Sequence, residues 1–428
     1  MQRTAGILMP IFSLPGPYGI GTLGSEARTP EGQPVEYAAV YESRNRLLRK
    51  AFSRLSGERA QAARDFTNRN PWVKEYALYQ AAKTHFQDAP WYLWPDEALR
   101  RHEASALEHW RAVLAEDVAF HTAVQYWFDT QWTAFKAYVN ARGVKLIGDL
   151  PIYVSLDSAD VWSEREQFLL DGAGRPSKVA GVPPDYFSAD GQLWGNPLYN
   201  WSAMKADGFG WWIRRVEGAA TRVDALRLDH FRAFESYWAV PAGAKTAKEG
   251  AWEKGPGMDL LRVLTGWFPQ ITYIAEDLGI LTDAVHQLRE ESGLPGMKVL
   301  EFAFSGPDNA YLPHHYAPHC ICYTGTHDND TVLGWYDHAT EQERAFAARY
   351  LGAKDRESTR QALLRLGQGS VAELFVAQIQ DYLALGSEGR INVPGVAEGN
   401  WRWRMAPGTA TKALAAEVRS LTAAFGRC

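Results

Sequence analysis

The chain has 428 residues, with 45 Lys and Arg against 50 Asp and Glu, a formal net charge of −5. That balance excludes a generally cationic surface for nucleic acid or anionic membranes. With 46% hydrophobic and 22% charged residues, a disordered chain is excluded too; the length fits roughly two or three domains, or one large barrel with insertions.

In chain order, GILMPIF (6–12) has the make-up of a short strand and runs into a Pro/Gly loop. With no basic segment ahead of a long apolar core, no signal peptide is expected, and no apolar run approaches the roughly 20 residues of a spanning helix. RTPEGQP (28–34) reads as a turn or junction. From about 37 to 142 the pattern is helical. Arg44, Arg46, Arg49, Lys50 and Arg54 form a solvated face, with Leu47, Leu48 and Phe52 inward. Val124, Trp127, Phe128, Trp132, Phe135 and Val139 recur at helical spacing and read as core. Gly143 then stands where a helix C-cap glycine belongs.

Short apolar segments follow, each with polar residues at its C-terminal end: 144–154, 224–231, 271–279, 297–304, 319–330 and 390–395. Helical stretches separate several of them, which argues for a parallel α/β fold. With 6–12 they make seven candidate strands, where a closed (β/α)8 barrel needs eight. In such a barrel chemistry gathers where strands end. The polar strand ends are Asp149, Arg227 with Asp229, Glu276, and His327 with Asp328.

Residues two apart on a strand share a face, so Arg227 and Asp229 point together while Leu226 and Leu228 point the other way. A guanidinium beside a carboxylate keeps it ionised, which suits a nucleophile. Glu276 follows the apolar run Tyr273–Ala275; a carboxyl among carboxylates in a partly dry cleft tends to hold its proton, which suits a general acid. Two carboxyls across a sugar–oxygen bond are the working pair of glycoside chemistry. An Arg-x-Asp pair is also a common internal salt bridge, so the four strand ends in order carry the reading, not any one of them.

Other signals lead elsewhere. His314, His315 and His319 sit in a Pro-bounded loop without ligand-type spacing, so no metal is expected. Cys320 and Cys322 read as buried small apolar residues. With Cys428 they make three cysteines, too few for a disulfide framework, and the cytoplasm is the expected compartment. No Gly-rich phosphate loop opens a helix, and no cofactor is called for.

The set ALRLDHFR (225–232), IAEDLG (274–279) and THDND (326–330), preceded by GDLPIYV (148–154), resembles the 4-α-glucanotransferases, the amylomaltases or disproportionating enzymes of glycoside hydrolase family 77 in the α-amylase clan. So do residues 6–24 and 181–201, MKVLEFAF (297–304), and the late NVPG and NWRWR. The resemblance implies a (β/α)8 TIM-barrel fold with helical insertions and a retaining transfer of α-1,4-glucan segments between maltodextrins. It implies Asp229 as nucleophile, Glu276 as acid and base, and Asp328 as the group favouring a distorted transition state. It implies that Arg227 orients Asp229, that His327 and Asp149 bond sugar hydroxyls, and that the loop 181–192 folds over the glucan. Asp185, Phe187 and Gln192 would face the sugar there, and Trp194 and Asn196 would shape the groove.

One stretch departs from the family. The opening segment ending near Gly24-Ser25-Glu26 resembles it, and family-like sequence resumes at 35–42, so several tens of residues are expected to be missing after about residue 27. They correspond to the second barrel strand and its neighbouring helix. The expected organisation is 1–27, first barrel strand; 28–142, junction and helical insertion; 143–428, the rest of the barrel. The expected partners are maltooligosaccharides and glucose, not nucleic acid or membrane. A hydrolase of the same clan and an inactive or glucan-binding remnant stay open.

Overall fold

The computed structural model describes residues 32–184, 188–279, 281–396 and 398–427. The strand expected at 6–12, and Asp185 and Phe187 of the covering loop, lie outside the described residues. These divide into two compact units, one of residues 42–273 and 281–292, the other of 32–41, 274–279 and 293–427.

The Ala- and aromatic-rich stretch is helical, with Tyr37–Phe52, Gly57–Arg69, Trp72–His85, Ala104–Val113 and Ala115–Asn140 as its main helices. Leu48, Ala51, Ala63, Phe120, Ala123 and Trp127 close into one buried cluster of the first unit. The aromatic periodicity marks core at Trp127 and Phe128, which are buried, whereas Val124, Trp132, Phe135 and Val139 are only half-buried, the Trp132 indole donating to the Arg222 carbonyl at 2.7 Å. Gly143 takes φ 76, a left-handed conformation. That lets Val144 N–H reach back to the Val139 carbonyl and end the helix.

The long helix carries a charge-sensitive side chain. Burial, with help from Arg49, pushes His121 down to about 4, and its Nε2 is buried with no partner among the described residues. Below its ordinary value of about 6.5 the unfolded chain takes up a proton that the folded chain refuses until about 4. Stability is therefore lost as pH falls through that window, and the loss levels off beneath it. Melting temperatures of the parent and His121→Leu, measured from about pH 7.5 to 4.5, are expected to show the shallower decline in the variant. Parallel curves would mean that His121 titrates alike in both states.

The first unit holds two sheets. β1 (Ile147–Leu150) and β4 (Ala225–Leu228) run parallel, Asp149 opposite Arg227 and Leu150 opposite Leu228. β7 (Thr272–Ala275), of which Thr272 and Tyr273 belong to this unit, completes the order β1–β4–β7. Leu226 and Leu228 are buried, leaving the alternate positions for Arg227 and Asp229. The second sheet is antiparallel, in the order β3 (Gln192–Pro197), β2 (Lys178–Val182), β5 (Ser236–Pro241), β6 (Ala251–Lys254). It was not legible in the sequence, because Gly and Pro interrupt its alternation of apolar and polar residues.

In the second unit β8 (Gly296–Val299), β9 (Cys320–Tyr323) and β10 (Leu374–Val376) form a parallel sheet in the order β10–β9–β8. Met297, Val299, Ile321 and Tyr323 pack with Ile274 as its core. Cys320 and Cys322 are buried as expected, and burial pushes the Cys322 thiol up to about 12. Two expectations are corrected here. The segment 297–304 is strand only to Val299, after which Leu300–Ser305 coils into a 3-10 helix. Residues 390–395 form no strand, and Leu374–Val376 pairs with β9 instead. The Pro394-Gly395 turn and the use of the Ile391 carbonyl by Trp401 N–H take 390–395 out of any ladder.

His314 meets the Tyr350 hydroxyl at 2.9 Å, His315 the Pro307 carbonyl at 3.0 Å and His319 Glu373 at 2.7 Å, so each histidine has its own partner. Among the described residues no helix is long and apolar enough to cross a membrane.

Candidate active site

Parallel pairing brings three of the expected residues together. Asp149 near the end of β1 lies opposite Arg227 on β4, and Asp229 follows β4 on the same face as Arg227. Arg227 is 6% exposed. Its Nη1 donates to both oxygens of Asp149 at 2.6 Å and to Asp229 Oδ1 at 3.0 Å. The Asp229 N–H continues the ladder onto the Leu150 carbonyl at 3.1 Å, which fixes its backbone. One buried cation thus sets the direction of two carboxylates. Arg227→Lys replaces a planar guanidinium by a point charge and is expected to lower the melting temperature, because the buried cation then holds Asp149 and Asp229 less well; thermal unfolding of the two chains side by side checks it.

The residue after Asp229 completes this wall. His230 adopts a left-handed backbone, φ 52, and burial pushes its imidazole down to about 4. Its ring meets Trp194 edge-on, centroids 4.9 Å apart. The Trp194 indole N–H donates to Gln192 Oε1 at 3.1 Å, so two of the expected groove residues hold each other on β3. Trp194 is 38% exposed, enough to offer an apolar face to a ligand. Asn196 is buried and donates to the Val154 carbonyl at 2.9 Å, bracing the strand rather than facing solvent. Between β2 and β3, Gly191 takes φ 69 and its N–H closes a turn onto the Ser188 carbonyl. A Cβ at Gly191 would lie 2.4 Å from the Val182 carbonyl oxygen, so the turn needs glycine.

The second unit carries the other three. Glu276 directly follows β7, and its Oε1 accepts from the Leu278 N–H at 3.2 Å. Its neighbour Asp277 accepts from the Met297 N–H at 2.6 Å, which anchors this turn to β8. Burial, then Asp277 and Glu276, push the Tyr311 phenol up to about 12. His327 and Asp328 sit in the loop after β9, with His327 Nε2 3.4 Å from Asp328 Oδ2.

Their supports were not singled out in the sequence. Asn392 donates to Asp328 Oδ1 at 2.6 Å, and Arg390 donates to the Asp328 carbonyl at 2.9 Å. The Trp401 ring lies 5.0 Å from that of His327. The family-like NVPG and NWRWR stretches were the available signal: Asn392 of the first braces the Asp328 carboxylate, and Trp401 of the second lies beside His327.

A protein-family model described as 4-alpha-glucanotransferase, glycoside hydrolase family 77, matches residues 25–411. The 4-alpha-glucanotransferase of Thermus thermophilus is 42% identical over 499 aligned positions, taking in 100% of this chain and 99% of that protein. The chloroplastic/amyloplastic 4-alpha-glucanotransferase of Solanum tuberosum is 36% identical, over 100% of this chain and 87% of that protein. Among solved structures, the amylomaltase from Streptococcus agalactiae in complex with acarbose superposes with a TM-score of 0.90 at 36% identity, covering 94% of this chain and 82% of that one.

Proposed function

The chain belongs to glycoside hydrolase family 77, the 4-alpha-glucanotransferases, and from that premise we propose that it moves α-1,4-glucan segments between maltodextrins by a retaining double displacement. An oxygen of Asp229 attacks the anomeric carbon of the donor. The bond from that carbon to the glycosidic oxygen breaks as Glu276 gives this oxygen its proton. The shortened glucan leaves and a glycosyl-Asp229 ester remains. An acceptor hydroxyl then passes its proton to Glu276 while its oxygen displaces Asp229, restoring both carboxyls to their starting states.

Asp328, braced by Asn392, binds hydroxyls of the transferred sugar as it flattens toward the transition state. His327 and Asp149 bond further hydroxyls. The loop 181–192, with Asp185, Phe187 and Gln192, covers the glucan, and Trp194 and Asn196 shape its groove. Transfer then wins over hydrolysis because covering side chains hold water off the ester until a sugar acceptor arrives. The observation that supports this reading is the buried Arg227 Nη1 shared by Asp149 and Asp229, which directs a nucleophile-type carboxylate at a strand end.

We also propose that the second barrel strand and its helix are missing after about residue 27, with 28–142 a junction and helical insertion and 143–428 the rest of the barrel. In support, 499 aligned positions meet only 428 residues of this chain, so 71 have no counterpart in it. The proposed compartment is the cytoplasm, and the partners are maltooligosaccharides and glucose.

The test is purified protein with maltotriose, products separated by chain length, and Asp229→Asn as control. Glucose with maltopentaose and longer chains, absent in the control, supports transfer. Glucose and maltose without longer chains would make it a hydrolase. No product from a cooperatively folded chain would make it a remnant that the gap has silenced.

A further inference from the structure

The second unit holds a carboxyl that this reaction does not use. Glu301 lies in the 3-10 helix Leu300–Ser305 and is 7% exposed. Its Oε1 is buried and has no hydrogen-bond partner among the described residues, and the same holds for Oε1 of Gln378. Both side chains converge on Gly325, two residues before His327. A Cβ at Gly325 would lie 2.7 Å from Glu301 Oε1 and 2.9 Å from Gln378 Nε2. The Gln378 amide N–H is already donated to the Asp330 carbonyl at 2.7 Å.

The surrounding charges disfavour a carboxylate at this place. Asp330 faces it from the loop after β9, and Asp381 from the helix Ile379–Tyr382, with Arg390 as counter-charge. Asp330 is itself shared with Arg390 at 4.0 Å and His338 at 3.8 Å. Burial and the two aspartates push the Glu301 carboxyl well above the usual range. Two buried acceptors without a donor, on side chains that both reach Gly325, are costly unless one of them carries a proton. The segment they flank is held on its other sides: Thr324 Oγ1 donates to Asp381 at 2.6 Å, Val332 N–H to Asp381 at 2.8 Å, and Ser387 Oγ to Asp330 at 2.7 Å.

We propose that Glu301 is a positioning residue for the transferase reaction, holding the segment that carries His327 and Asp328 through a carboxylic-acid O–H donated to the side-chain oxygen of Gln378. A single proton then satisfies both orphan acceptors. Its removal takes away the donor, sets a third carboxylate beside Asp330 and Asp381, and loosens the loop on which two sugar-binding side chains depend. The proposal rests on His327 and Asp328 binding sugar, and its test separates the two ideas.

The test compares the full chain with Glu301→Gln and Glu301→Ala, by melting from about pH 5 to 9 and by maltotriose kinetics. In the unfolded chain a glutamate ionises near about 4.3, whereas the folded chain keeps the proton to higher pH. The parent therefore loses stability as pH climbs above that value. Glu301→Gln donates an N–H at every pH, so its melting temperature is expected to gain on the parent's as pH rises. Its kcat/KM near neutrality is expected to stay within about threefold of the parent's, against a fall of about 10²-fold in Glu301→Ala. A melting difference that stays constant with pH overturns the proposal. So does a Glu301→Gln chain that does not fold, or a Glu301→Ala chain that transfers as well as the parent. A parent that makes no longer glucans sinks the reading of the site, and the melting series then decides the Glu301–Gln378 bond by itself.

Discussion

Replacing Asp229 by Ala is expected to stop transfer, lowering kcat on maltotriose by roughly 10⁴-fold or more, the scale on which loss of a covalent nucleophile is felt. The fold should tolerate the change, because the Asp229 side chain is partly exposed and its N–H bond to Leu150 is a backbone contact. What disappears is the only oxygen that the proposed mechanism brings to the anomeric carbon. A small anion can occupy the vacated space. Azide, added with α-maltosyl fluoride as donor, is therefore expected to restore turnover and to leave β-maltosyl azide, since a single displacement inverts the centre. Product of retained configuration, or no rescue in a folded chain, would remove Asp229 from the role of nucleophile.

Glu276→Ala is expected to behave differently. On maltodextrins it should lower kcat by about 10²–10⁴-fold, the range of a lost general acid. On α-maltosyl fluoride the first displacement should survive, because fluoride departs without a proton. The second displacement still lacks its base, so the glycosyl ester accumulates. The measurable consequence is a burst of fluoride equal to the enzyme present, followed by a slow steady state. Equal losses on both donors, with no burst, would place Glu276 outside proton transfer. Together the two variants separate the carboxyls by chemistry rather than by degree of damage.

How far the sequence speaks for itself differs between the two sheets. The strands at 147–150, 225–228, 272–275 and 320–323 were legible because each is a short apolar run followed by polar residues, and those at 225–228 and 320–323 are buried almost throughout, as parallel strands are. The alternation Leu226–Arg227–Leu228–Asp229 told which side chains share a face, and the ion pairs agree. The antiparallel sheet was missed because Gly181, Gly195 and Pro197 break its pattern, and its strands are recognised only by long-range pairing. Leu374–Val376 is three residues long and pairs with a strand some fifty residues earlier, so no local signal marks it. The reverse happened at 390–395, where a strand-like composition serves a loop that braces Asp328. Asp185 and Phe187 were named from resemblance alone and lie outside the described residues.

The pairing of β1 with β4 has a consequence for how this chain can fail. Asp149 meets Arg227 because the two are register partners, and Arg227 meets Asp229 because they share a face of one strand. A slip of one residue between these strands would turn every second side chain over. It would carry Asp149 away from the guanidinium and set the Gly148 or Leu150 position there instead. Backbone alignment and chemical competence are thus read from one and the same ladder. Under the proposed mechanism a molecule with the wrong alignment would keep Arg227 beside Asp229, since one strand sets both, but lose Asp149 from the guanidinium, and so would be an impaired catalyst within an otherwise folded chain.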